Sequence, residues 1–461
     1  MDAFRFDELS LSQIPALQIL VNLGFRYLSP TEALAARGGR ASQVLLEEIL
    51  REQLKRLNRI HHKGCSWFFS EENIQSGIQT LKNVKYDGLL KTNEAIYDLL
   101  TLGVALEQSI EGDLKSFTLR YVDWRNPASN VYHVTAELPV DRPRSAGTAR
   151  PDIVLFVNGI PFVVIECKSP KEEIGQAISQ MIRNQRDEYI PRLFTYVQMV
   201  LGVNKNEARY ATVGTPARFW SVWKEEIPAS ELAPLLDAPL PDRVKTSLFE
   251  LTFSPMGVRE EGAPYQVARH ATAQDRALYA LCRPERLLML VWLYSVFDGG
   301  VRKIARYQQV FAVREIVRRV TQFDGEGRRR GGIVWHTQGS GKSLTMVMLA
   351  RALALDPRIR NPRIVLVTDR IDLDKQLGST FAACGLSPER AESGRHLLEL
   401  VTDKSVREIH ELDRDDKWQE ERVTNEALVL PHDCLELADR YFAAFAPYND
   451  YCICRQCLGV I

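Results

Sequence analysis

The stretch W-H-T-Q-G-S-G-K-S-L-T-M, Trp335 to Met346, constrains the fold of this chain more than any other, because it joins a strand-like run to a helix-like run through a glycine loop. Gly331 to Thr337 is apolar and partly β-branched, and Leu344, Met346, Val347, Met348, Leu349, Leu353 and Leu355 recur at helical spacing. Gly339 and Gly341 can bend the backbone so that successive N–H groups point at a phosphate, at the positive end of the following helix. Lys342 would reach the terminal phosphates and Ser343 would offer its hydroxyl to Mg²⁺. His336 stands where the pattern G-x-x-x-x-G-K-[ST] has its first glycine. Ile364 to Val367 reads as a buried parallel strand followed by T-D-R-I-D-L-D-K-Q-L, so the sequence predicts an α/β nucleotide-binding domain.

Upstream, R-P-D-I-V-L-F-V-N-G-I-P-F-V-V-I-E-C-K-S-P places two apolar strands around Asn158-Gly159, a hairpin signal. Asp152 opens the first strand; Glu166 and Lys168 end the second on one face, with Cys167 on the other. A two-residue turn would pair Val157 with Ile160 and put Asp152 opposite the face of Glu166. A three-residue bulged loop over Val157 to Gly159 shifts the register by one and joins all three groups. The bulged register is expected, because two buried carboxylates repel unless a divalent cation or a proton relieves them, and a lysine suits an attacking water. Glu172 to Gln185 is helical in pattern, with Gln185 and Tyr189 four apart as if on one face and Gln176 and Gln180 repeating that spacing. These polar groups read either as phosphate contacts and positioners of the lysine or as an exposed helix surface.

The rest of the chain is ordinary in texture. Residues 1 to about 60 look helical, and Arg51, Lys55, Arg56, Arg59, His61, His62 and Lys63 read as a solvated face rather than a phosphate-contacting one. Lys91 to Gln108 reads as a helix, Leu193 to Val203 as a strand, A-R-Y-A-T-V-G-T-P as a further edge, and Pro284 to Phe297 as a buried helix. Lys plus Arg equals Asp plus Glu at 59 each, so binding to a polyanion needs local patches. Arg302 to Arg330 holds nine basic and three acidic residues, a DNA-facing surface or a solvated loop. The eight cysteines are scattered, and the C-terminal group of Cys452, Cys454 and Cys457 with His432 and Cys434 upstream reads as solvated thiols rather than a zinc site. No apolar run is long enough to span a bilayer and no signal-peptide core opens the chain, so no membrane association and a cytoplasmic location are expected.

The order of these features (acid-lysine hairpin, Q-x-x-x-Y, A-R-Y-Q-Q, H-T-Q-G-S-G-K-S-L-T-M, V-T-D-R-x-D-L-D-x-Q-L) resembles the motor and nuclease subunit of type I restriction endonucleases, from the first helix to about residue 400. The resemblance implies an α/β chain with a PD-(D/E)xK endonuclease domain over residues 1–235, a linker at 236–265, an incomplete RecA-like superfamily 2 motor domain at 266–403 and a tail of unclear fold at 404–461. It implies that Asp152 and Glu166 hold Mg²⁺, that Lys168 orients the water, and that Gln185 and Tyr189 form the Q-x-x-x-Y element. For ATP it implies Gln309 as adenine reader, with Gln308 the register alternative, a phosphate loop of Gln338, Gly339, Ser340, Gly341, Lys342 and Ser343, and Thr368, Asp369, Arg370 and Asp372 in the next motif. DNA, a methyltransferase subunit and a specificity subunit are the implied partners. The D-E-x-x box of such motors is not visible: Ala427 to Leu430 is apolar enough for a strand, but P-H-D-C follows. A truncated product is therefore expected, binding ATP weakly without motor-rate hydrolysis or translocation, with one sheet edge exposed.

Overall fold

In a computed structural model the described residues are 9–402 apart from 144, 146, 254–269, 338, 361, 369 and 370, together with the strands at 427–430 and 451–455. The chain divides into two compact units between Trp292 and Leu293.

The first unit is built on a six-stranded mixed sheet. In chain order its strands are β1 (Arg26–Tyr27), β2 (Tyr132–Ala136), β3 (Ile153–Val157), β4 (Ile160–Cys167), β5 (Met199–Asn204) and β6 (Glu207–Ala211), and they lie in that same spatial order. β1 pairs with β2 and β4 with β5 in parallel; the remaining pairs are antiparallel. Every residue of β3, β4 and β5 is buried, which is why these segments read as unbroken apolar runs instead of alternating ones. Leu193 to Val203 is not one strand: Pro191–Phe194 forms a short helix before β5. Helix α1 (Ile14–Asn22) packs on β2, and α2 (Glu47–Leu57) follows it in the chain. The expected Lys91–Gln108 helix is instead helix Leu89–Leu102 and strand Val104–Ile110, parted at Gly103, where φ is +82° and the helix cannot continue.

The Asn158-Gly159 turn closes the β3–β4 hairpin with two left-handed residues, φ +52° and +84°. Val157 pairs with Ile160, so the three-residue bulged loop is not formed. The bulge lies three residues later, between Pro161 and Val163, beside a proline that has no N–H to give the ladder. Buried Asn158 holds the turn by accepting from Val131 N–H at 2.9 Å and donating to Tyr121 O at 3.0 Å and Asn130 Oδ1 at 2.7 Å. Leu46 N–H caps the turn on Gly159 O at 2.8 Å. A Cβ on Gly159 would sit 2.6 Å from Leu46 O and 2.9 Å from Leu50 N, both backbone atoms. Gly159→Ala is therefore expected to destabilise the first unit by about 3 kcal/mol or more, from backbone strain plus displacement of α2, as read from chemical denaturation.

Helices α3 (Ile174–Asn184), α4 (Ala273–Cys282) and α5 (Pro284–Leu293) complete the parts of this unit that bear on the site. The expected linker at 236–265 contains the helix Asp242–Phe253, and 254–265 lie outside the described residues. α4 and α5, which the sequence reading assigned to the second domain, belong to the first unit. α4 packs on α1, its Gln274 exchanges reciprocal hydrogen bonds with Ser12 in the turn just ahead of α1, at 2.7 and 2.8 Å, and Trp292 stacks on Trp124. Arg51 and Lys55 pair with Glu71, as a solvated helix face would.

The second unit opens with strands β7 (Ser295–Asp298) and β8 (Val301–Ile304), a hairpin turning on Gly299-Gly300. The expected helix through Phe297 thus stops at Leu293, because the glycine pair returns the chain on itself. Helices α6 (Tyr307–Val320), α7 (Lys342–Leu355) and α8 (Ile371–Ala383) pack in succession, and α8 lies against a four-stranded parallel sheet. Its strands are β9 (Arg363–Val367), β10 (Glu389–Arg390), β11 (Ala427–Leu430) and β12 (Tyr451–Arg455), in the order β10-β11-β9-β12. The strand expected over Gly331–Thr337 does not form: the segment has a single bridge residue, Ile333, and Trp335 is 89% exposed. Both edges of β9 are already taken by β11 and β12, so this segment has no place beside it.

Among the described residues no helix is long and apolar enough to cross a membrane. Among the described residues, Cys65, Cys167, Cys282 and Cys384 are not joined in disulfides. Of the C-terminal cluster, His432, Cys434 and Cys457 lie outside the described residues, and Cys452 and Cys454 are described only as backbone of β12.

Candidate active site and nucleotide loop

The bulge after Pro161 supplies the one-residue register shift that the two acids need. Beyond it Ile165 pairs with Ile153, which puts Asp152 opposite Glu166 at the end of the ladder. The expected juxtaposition is present, by another local route. The Cys167 N–H donates to Asp152 Oδ2 at 2.6 Å, and the Asp152 backbone carbonyl accepts from Gln13 Nε2 at 2.9 Å.

Glu166 is fully buried in the sheet, and a lone carboxylate there would be costly. Its two oxygens accept from side-chain amides of α3: Oε2 from Gln180 Nε2 at 2.7 Å, Oε1 from Asn184 Nδ2 at 2.8 Å. α3 reaches the sheet because Glu166 pairs with Gly202 on β5, where an added Cβ would lie 3.2 Å from Ala177 Cβ. Burial pushes the Glu166 carboxyl well above the usual range, with the charge and hydrogen bond of Asp152 adding to it; Lys168 and Asn184 act in the opposite sense. Lys168 follows the end of β4, with its N–H on Val203 O, and its buried ammonium donates to Cys167 O at 2.8 Å. Asp152, Glu166 and Lys168 thus form one buried cluster.

Gln185 and Tyr189 stand differently from their expected shared helix face. α3 ends at Asn184, and Tyr189 lies in the turn beyond, ahead of Ile190-Pro191, where the residue before proline is held out of the helical region. Gln185 Nε2 donates to Met181 O and its Oε1 accepts from Gly214 N–H at 2.7 Å, so both ends of this amide serve the backbone. The Tyr189 ring is flanked by Arg142 and Arg183, with guanidinium carbons 4.6 and 5.3 Å from its centroid. The sequence reading missed Asn184; its signal was the spacing Gln180/Asn184 along the face that buries Ala177 and Met181.

In the second unit Gly339 and Gly341 both take positive φ, +75° and +84°, and Gly341 caps α7, whose first residues are Lys342 and Ser343. Gln309 braces the loop: its Oε1 accepts from Arg306 N–H at 2.9 Å, and its Nε2 donates to Gly341 O at 3.1 Å and Thr345 Oγ1 at 3.2 Å. The amide expected to read a base is engaged by protein, while the buried Oε1 of neighbouring Gln308 has no partner. Ser340 Oγ lies 3.4 Å from His336 Nδ1, and burial together with the Lys342 charge lowers the His336 pKa, keeping it neutral. Thr368 is buried and Asp372 is exposed on α8; Gln338, Asp369 and Arg370 lie outside the described residues. Among the described residues no group of three or more His, Cys, Asp or Glu is placed to hold a metal, so the hairpin offers a two-carboxylate set only.

Comparison with known proteins gives matches over both regions of the chain. Residues 5–219 match the family of the type I restriction enzyme R protein N terminus, and residues 308–433 match the SWI2/SNF2 ATPase family. The chain is 30% identical over 408 residues to the type I restriction enzyme HindI endonuclease subunit of Haemophilus influenzae, covering 85% of this chain and 34% of that protein. It is 28% identical over 412 residues to a protein of Methanocaldococcus jannaschii provisionally named type I restriction enzyme MjaIXP endonuclease subunit, covering 87% and 36%. A type I restriction enzyme endonuclease subunit of Staphylococcus aureus strain COL is 26% identical over 297 residues, 64% of this chain and 27% of that one. The chain spans about a third of the length of the first two relatives. It carries the N-terminal portion of the type I restriction enzyme R protein family and belongs to that family.

Proposed function

We propose that the first unit is a PD-(D/E)xK endonuclease domain that hydrolyses DNA phosphodiester bonds with Mg²⁺, and that the second is part of a RecA-like ATP-binding domain. The observation that carries this reading is the meeting of Asp152, Glu166 and Lys168 at one buried point. The donor set fits a hard divalent cation: two oxygen acids share a hydrogen bond, and their mutual repulsion is what such an ion relieves. Asp152 and Glu166 would hold it. When bound it supplies Lewis-acid stabilisation of charge developing on the phosphodiester. Lys168, whose ammonium already sits beside the acids, would leave the Cys167 carbonyl to orient the attacking water and offset charge on the scissile phosphate.

In the second unit the two left-handed glycines ahead of α7 suit a phosphate-binding turn, with Lys342 on the terminal phosphates and Ser343 on the accompanying Mg²⁺. Gln309 fits a brace of that loop better than a base contact, which leaves the Gln308 carbonyl as the adenine reader. In a complete restriction assembly, with methyltransferase and specificity subunits, ATP-driven translocation would bring the nuclease to its cutting site.

The test incubates the purified chain with supercoiled and linear DNA, with and without Mg²⁺ and ATP. Mg²⁺-dependent nicking or cutting is expected. Retention of DNA without any cleavage by a folded chain would overturn the nuclease reading and leave a binding module.

A further inference from the structure

We infer that Gln180 and Asn184 are positioning residues, whose side-chain amides fix the Glu166 carboxylate so that it and Asp152 share a single divalent cation. The inference rests on the nuclease reading above and goes beyond its three motif residues. An ionised carboxylate offers about four lone-pair positions. Two are occupied here, one on each oxygen, by donors on successive turns of α3. The carboxylate is thereby fixed in rotation and its remaining lone pairs are left to the side where Asp152 lies. The donor type matters as much as the geometry. An arginine or lysine in the place of Gln180 would also satisfy Glu166, but would neutralise it and compete with the cation. An amide donates a hydrogen and adds no charge. The fold is shaped to deliver these two groups: Gly202, beside Glu166, lets Ala177 come close to the sheet, and Asn184 is buried against it.

The test titrates the purified full chain with Mn²⁺ by calorimetry, without DNA, for wild type, Gln180→Ala, Asn184→Ala, Gln180→Arg and Asp152→Asn. Gln180 is only half-buried, so its variants should keep the fold even where Asn184→Ala does not, and circular dichroism checks each. Gln180→Ala and Asn184→Ala should each weaken Mn²⁺ binding about tenfold, in line with other residues that support metal ligands. Gln180→Arg, which keeps a donor but brings charge, should weaken it more than Gln180→Ala does. A folded Gln180→Ala protein that binds Mn²⁺ as wild type does, or a Gln180→Arg protein that binds as well as Gln180→Ala, would overturn the inference. If wild type binds Mn²⁺ and Asp152→Asn does not, the metal reading stands and the amide variants judge this inference by themselves. No Mn²⁺ binding by wild type would overturn both.

Discussion

Asp152→Asn is expected to abolish Mg²⁺-dependent DNA cleavage while leaving the fold at least as stable as wild type without metal. Asparagine keeps the volume and an oxygen that can accept from Cys167 N–H, so the hairpin end need not move. What it removes is one of two acids that face each other in a buried site. On the proposed nuclease function this costs a cation ligand, and with it about 4 kcal/mol of charge stabilisation, or roughly a thousandfold in rate. For folding it relieves repulsion in a buried pair. A nicking assay and a thermal melt on the same preparation check both parts; cleavage at the wild-type rate would remove Asp152 from the site. A pH signature accompanies this. Because the Glu166 carboxyl titrates above its ordinary value, the folded protein holds that proton more tightly than the unfolded chain. Its contribution to stability is complete below about pH 4.3, where the unfolded glutamate is protonated too, and is lost as pH rises through the raised value. The difference between wild type and Glu166→Gln should therefore grow with pH over that interval, and a divalent cation should diminish it.

Lys342→Ala is expected to weaken nucleotide binding about 10- to 100-fold, the loss of one charge-assisted contact, without altering the first unit. Lys342 is the first residue of α7, immediately after left-handed Gly341, and is half-buried. Truncation removes little packing, and alanine is a good helix former at that position. Fluorescent-nucleotide titration reads the affinity. Unchanged binding would place the nucleotide elsewhere than on this loop, and cleavage in the absence of ATP should be untouched by the change.

Much of this was legible in the residues because it depends on local rules. The Asn158-Gly159 turn, the apolar runs of β3 and β4, the acids and lysine at their ends, and the glycines ahead of a lysine-initiated helix all follow from backbone preferences and short spacing. What failed were decisions that need a partner. A glycine pair at Gly299-Gly300 can only make a hairpin if the strands on either side find each other, and periodicity alone ran a helix through the first of them. Gly331–Thr337 has strand-like composition, but a strand exists only against a free edge, and both edges of β9 are occupied. Gln185 and Tyr189 are four apart in sequence, yet α3 ends between them.

The sequence by itself determined the family, the presence of an acid-lysine hairpin and the position of a glycine turn ahead of a lysine-initiated helix, since each is written in residue type over a few neighbouring positions. Only the tertiary structure decided how the acids meet. Their register depends on where one extra residue is absorbed, and the bulge went to Pro161–Val163, beside a residue that cannot donate to the ladder, because the turn was already held closed by Asn158 and α2. It also decided that Glu166 is served by Gln180 and Asn184, since long-range packing at Gly202 sets how close a helix comes to a sheet.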